Sequence, residues 1–145
     1  MFTKHGEESF RDGERRVIKR LLEKDGVILS TGGGAYINDS TRRIIEDNSV
    51  SVWLDVNIGT LWQRVRGKKH RPMLQGAGAK DTLHNLYNTR ISVYKNAQIH
   101  IRHNKDSPAA MAKKIITQLL AEDIAVDLLY NHRYSPKKKV QQNDT

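Results

Sequence analysis

The sequence predicts an α/β fold built on a parallel sheet, and three observations carry that prediction. Short apolar, β-branched runs alternate with longer segments of helical periodicity. Three consecutive glycines, Gly32, Gly33 and Gly34, follow one of those runs at once. The chain, 145 residues and 37% hydrophobic, is long enough for one small domain with a buried core.

The elements follow in order. From Glu7 to Asp25, the residues Phe10, Val17, Ile18, Leu21 and Leu22 recur at helical spacing, and Gly26 stands where a helix ends on glycine. Val27 to Thr31, "VILST", is too short for a helix and β-branched enough for a buried strand. Asp39 or Ser40 then caps a short helix through Ile44 and Ile45, and "SVSVWLDV" predicts a strand from Ser49 to Val56. A third helix is expected over Ile58 to Val65, followed by the glycine- and charge-rich loop "RGKKHRPMLQGAGAK". The helical stripe returns from Asp81 to Tyr94, "QIHIR" alternates like a last strand, and Ser107 with Pro108 opens a final helix carrying Met111, Ile115, Ile116, Leu119 and Leu120. We expect one domain over residues 1–122 and a basic, disordered tail over 123–145.

Composition narrows the function. Without cysteine, no disulfide staples the chain and no thiolate binds metal. No apolar run approaches the roughly 20 residues of a bilayer span, and the N-terminus lacks a secretory pattern, so a cytoplasmic protein with no membrane association is expected. The net charge of +9 raises nucleic acid as a partner. Lys137, Lys138 and Lys139 lie in the tail, and the other basic residues are spread along helices with few aromatics to stack bases, so nucleic acid is the lesser reading.

Ligands of open parallel sheets sit beyond the carboxyl ends of the strands, where "TGGG" falls. A plain tight turn would also use glycine there, but three in a row favour a ligand that approaches the backbone. The phosphate loop G-x-x-x-x-G-K-[ST] is not matched, because Ala35, Tyr36 and Ile37 follow the glycines. Arg90 lies on the stripe of Leu83, Leu86, Tyr87, Ile91 and Tyr94, and Arg11 shares a face with Ile18 and Leu22. Either arginine could snorkel to water; two inward guanidiniums near a glycine-lined strand end suit a carboxylate or phosphate. Arg71, beside Pro72 in the flexible loop, fits a lid arginine as well as an ordinary solvated loop.

The ordered set "GEESFRDGE", "LSTGGGAY", Leu61-x-x-Arg64, "RPML" and Arg90-x-x-x-Tyr94 resembles shikimate kinase from about residue 6 to residue 120. The resemblance implies a small P-loop kinase, monomeric, that transfers the γ-phosphoryl of ATP with magnesium to the 3-hydroxyl of shikimate, on the route to chorismate and aromatic amino acids. It implies that Arg11 and Arg90 hold the shikimate carboxylate and that Gly33, with Gly32 and Gly34, meets the ring hydroxyls. Arg71 would reach the ATP phosphates from the lid, while Arg64 and the loop residues Asn104 and Pro108 would flank the adenine. No residue is assigned to metal.

The departures bear on activity. Ser92 stands where the family carries proline, and the family's Walker A strand and loop, with its lysine and magnesium-binding hydroxyl, are not matched in these residues. In the family's sheet the first strand lies between the third and fourth, so the runs Val27–Thr31 and Ser49–Val56 would lack their shared neighbour. The expectation is therefore an incomplete P-loop kinase-like sheet, poor folding of the chain alone and no kinase activity. The alternative is a non-catalytic protein that binds shikimate or a partner.

Overall fold

The computed structural model describes residues 4–66, 78–103 and 105–121. Six helices and two strands form among them: α1 (Lys4–Leu22), α2 (Gly33–Ile37), α3 (Asp39–Asn48), β1 (Val52–Val56), α4 (Ile58–Val65), α5 (Ala79–Tyr94), β2 (Ile99–His103) and α6 (Pro108–Ala121). They divide into two compact units, drawn from Met1–Val50 and from Ser51–Glu122.

In the first unit, α1, α2 and α3 pack on one another. Ile18 of α1, Ala35 and Tyr36 of α2, and Thr41 and Ile45 of α3 are buried. The turn after α1 places Gly26 at φ +66, the left-handed conformation glycine adopts without penalty. The strand expected over Val27 to Thr31 does not form; these residues take no regular secondary structure, and Ile28 is 100% exposed. A strand exists only by pairing, and this run has no ladder partner among the described residues.

One further expectation is corrected here. After Gly32, Gly33 and Gly34 form the first turn of α2, whose Ala35 and Tyr36 offset the glycines' low helix propensity by burial. The cap of α3 is neither Asp39 nor Ser40 but Asn38, whose Oδ1 accepts from Thr41 N at 3.0 Å and Thr41 Oγ1 at 3.1 Å. Asn38 has the extended backbone a cap requires, whereas Asp39 and Ser40 already turn with the helix.

In the second unit, β1 and β2 pair in parallel with Val52 opposite Ile99 and Val56 opposite His103. The pair starts at a reciprocal clamp: Ser51 N donates to Gln98 Oε1 at 3.0 Å, and Gln98 N donates to Ser51 Oγ at 3.1 Å. Along β2, Ile99, Ile101 and His103 are buried while His100 and Arg102 face outward, the alternation of a strand covered on one side. Arg102 Nε lies 3.9 Å from Asp55 Oδ2 across the register pair on the outer face, and Trp53 stacks edge-on to His100 with centroids 5.1 Å apart. Asn57 caps α4 by accepting from Thr60 N at 2.8 Å. Val65 and Leu83 form the α4–α5 core with Ile58, Leu61, Trp62 and Leu86 against them. The start of α6 is as the sequence predicts, with Ser107 Oγ accepting from Ala110 N at 3.2 Å before Pro108.

Candidate active site

In the first unit, α1 delivers Arg11 to the glycine turn. A methyl group on Gly34 would lie 2.6 Å from Arg11 Nη2, 2.8 Å from Nη1 and 2.9 Å from Cζ, so the guanidinium occupies the place a side chain would fill. Arg11 is fixed from its other sides by Glu14, whose Oε2 accepts from Nη1 at 2.6 Å, by Glu7 at 4.0 Å, and by the Phe10 ring, whose centroid is 5.2 Å from Cζ. The turn itself is held from behind: Tyr36 Oη donates to Glu46 Oε1 at 2.9 Å, and Arg42 Nη1 donates to the Tyr36 carbonyl at 3.3 Å. Gly32 and Gly33 are exposed beside this cation. A planar, permanently charged fork next to uncovered backbone can take a carboxylate and admit hydroxyls close to the chain.

The second unit carries Arg90, Arg64 and Pro108. Arg90 is half-buried on α5, as its place in the apolar stripe predicts, and forms no ion pair among the described residues. Arg64, in the last turn of α4, is exposed and contacts Nε2 of His103, the buried last residue of β2. The connection to α6 follows, where Asp106 Oδ2 lies 3.6 Å from His103 Nδ1 and accepts from Lys114 Nζ at 2.8 Å. Pro108 is exposed at the start of α6. Tyr87, on α5, has its phenol pushed above the ordinary value by burial, with the Asp55 carboxylate adding and Arg102 opposing.

Arg11 thus meets Gly34 within one unit, and Arg64 meets the strand end that leads to Pro108 within the other. Arg71 and Asn104 lie outside the described residues. Two residues escaped the sequence reading. Glu14, three residues after Arg11 on the same helix, was legible as an i,i+3 partner. His103 was legible as the third inward position of an alternating strand, after Ile99 and Ile101.

Among the described residues no helix is long and apolar enough to cross a membrane. Parallel strands joined through α4 and α5 define the class as an α/β protein, and likeness to a solved structure gives its fold as that of a small P-loop kinase. A solved structure of that fold, shikimate kinase from Acinetobacter baumannii in complex with shikimate, matches with a TM-score of 0.76 at 29% identity, covering 85% of this chain and 69% of that one. The shikimate kinase family model matches residues 1–120. Shikimate kinase of Ruegeria pomeroyi is 40% identical over 129 residues, 88% of this chain and 66% of that protein; that of Caulobacter vibrioides is 40% identical over 122 residues, 84% and 60%. The chain belongs to the shikimate kinase family, and it spans somewhat less than two thirds of the length of these curated relatives.

Proposed function

We propose that these residues form the acceptor side and the nucleotide-base side of a shikimate kinase that transfers the γ-phosphoryl of ATP to the 3-hydroxyl of shikimate. The observation that carries the reading is the Arg11 guanidinium seated on Gly34, with its fork fixed by Glu14. In this reading Arg11 and Arg90 hold the shikimate carboxylate by charge-assisted hydrogen bonds. The exposed backbone of Gly32 and Gly33, with Gly34 beneath Arg11, meets the ring hydroxyls. Together they orient the acceptor, which is where most of phosphoryl-transfer catalysis lies.

On the nucleotide side, the exposed guanidinium plane of Arg64 and the exposed ring of Pro108 suit the two faces of a purine, and Asn104, just before Pro108 in the sequence, belongs to the same reading. Bound ATP supplies the phosphoryl group, and Arg71 would neutralise its phosphates. No residue of this chain is assigned to magnesium, and no step is drawn through it. The reading takes the chain as a cytoplasmic monomer.

The 145 residues contain no G-x-x-x-x-G-K-[ST], which favours a second reading for this chain by itself: it binds shikimate without phosphorylating it. Calorimetric titration with shikimate tests the acceptor site. Arg11→Ala and Arg90→Ala should each abolish the heat of binding, and a titration unchanged by either variant would overturn the assignment. An ATP-coupled assay separates the two readings, turnover by this chain alone deciding against the second.

A further inference from the structure

The nucleotide-side reading leaves one buried titratable group without a task. His103 is 6% exposed at the carboxyl end of β2, and it carries no role in the family resemblance. Its surroundings define its protonation pattern. Arg64 has only donors, so its contact with Nε2 requires that nitrogen to be an unprotonated acceptor, and the neutral ring then carries its hydrogen on Nδ1. Nδ1 lies 3.6 Å from Asp106 Oδ2, beyond hydrogen-bond length, and has no hydrogen-bond partner among the described residues. Asp106 is in turn held by Lys114 Nζ at 2.8 Å, which also reaches the Arg102 carbonyl at 3.4 Å.

From this geometry we infer that His103 is a positioning residue for the nucleotide base. Through Nε2 it holds the Arg64 guanidinium, and through Nδ1 it faces Asp106, two residues before Pro108. The inference rests on the nucleotide reading of Arg64 and Pro108 given above. A long exposed arginine samples many rotamers, and a plane offered to a purine is useful only when it is held. A buried imidazole at a strand end supplies a fixed acceptor for it. The charged groups facing the ring are Arg64 from α4, Asp106 from the β2–α6 connection and, behind Asp106, Lys114 from α6.

The test uses the full 145-residue chain with ADP as the probe, followed by calorimetry, beside shikimate titrations and nitrogen-15 spectra of the histidine rings. The expected spectrum places the His103 hydrogen on Nδ1. His103→Leu should weaken ADP binding by about tenfold, the loss of one charge-assisted hydrogen bond that holds the guanidinium, and leave shikimate binding unchanged. His103→Gln, whose amide oxygen reaches the place of Nε2, should restore ADP affinity to within about twofold of the parent. A hydrogen on Nε2, or equal ADP affinity for the Leu variant and the parent, overturns the positioning role while the nucleotide reading stands. If the parent binds no ADP, the nucleotide reading fails and the role fails with it. Equal loss of shikimate and ADP binding in both variants would make His103 a folding residue only and overturn the inference.

Discussion

Gly34→Ala is the most discriminating substitution, because it separates the stability of the glycine turn from its use. The added methyl would sit 2.6 to 2.9 Å from three atoms of the Arg11 guanidinium, against an ordinary contact of about 3.5–4.0 Å. The guanidinium must therefore retreat by about 1 Å, and it can, because it is the end of a flexible side chain 31% exposed. Alanine in α2 gains about 0.5–1 kcal/mol over glycine, while disturbing the Arg11–Glu14 pair costs at most about 1 kcal/mol at this exposure. Thermal unfolding should place the variant within about 1 kcal/mol of the parent. Shikimate binding should respond differently. Losing one charge-assisted hydrogen bond to the carboxylate, about 1.5–3 kcal/mol, raises Kd by about 10- to 150-fold. Calorimetric titration reads that number directly. Parent-like shikimate affinity in Gly34→Ala would refute the idea that the bare glycine seats Arg11 for the ligand, and a stability loss above about 3 kcal/mol would show the turn to be structural instead.

Two other outcomes follow from local geometry in the second unit. The folded chain holds the Tyr87 proton to higher pH than the unfolded chain, whose phenol titrates near 10.0, so this stabilisation is intact below that pH and is lost as pH rises through the folded value. Tyr87→Phe should flatten the alkaline fall in stability measured by urea unfolding from neutral to strongly alkaline pH, and an unchanged slope would show that burial of the phenol is not its cause. Asn57→Ala removes the acceptor of Thr60 N and should cost about 0.5–2 kcal/mol of denaturant-measured stability, whereas Asn57→Ser should recover most of it.

What the sequence disclosed is what local chemistry decides. The helix expected over Ile58 to Val65 forms over those residues, and the Ser107–Pro108 pair starts α6, because caps and short periodic stripes act within a few residues. The half-buried settings of Arg11 and Arg90 were legible too, since helical spacing fixes which face a residue shares. Asn38 was harder: in "NDS" three residues able to cap stand in a row, and only the backbone angle of the first selects it. His103 was harder still, because its partner Arg64 lies 39 residues away and no spacing rule connects a strand end to the last turn of an earlier helix.

Val27 to Thr31 shows why composition alone cannot make a strand. Its residues have the β-branched, apolar character of a buried strand, and on that ground the prediction was sound. Yet Val27 is 39% exposed and Ile28 100% exposed, while Ile99, of the same residue type as Ile28, is 1% exposed inside β2. The difference lies in the neighbours, since Ile99 N donates to the Ser51 carbonyl at 3.0 Å at the start of a ladder that runs from Val52–Ile99 to Val56–His103. Burial of one isoleucine side chain is worth about 1.5–3 kcal/mol, so an exposed Ile28 forgoes as much as a whole capped helix end supplies. The apolar pattern states what the segment requires, and pairing decides whether the requirement is met. The residues after it need no ladder: Ala35 and Tyr36 are buried in α2, which packs on α3, and the Arg11–Gly34 contact forms beside a segment with no strand pairing of its own.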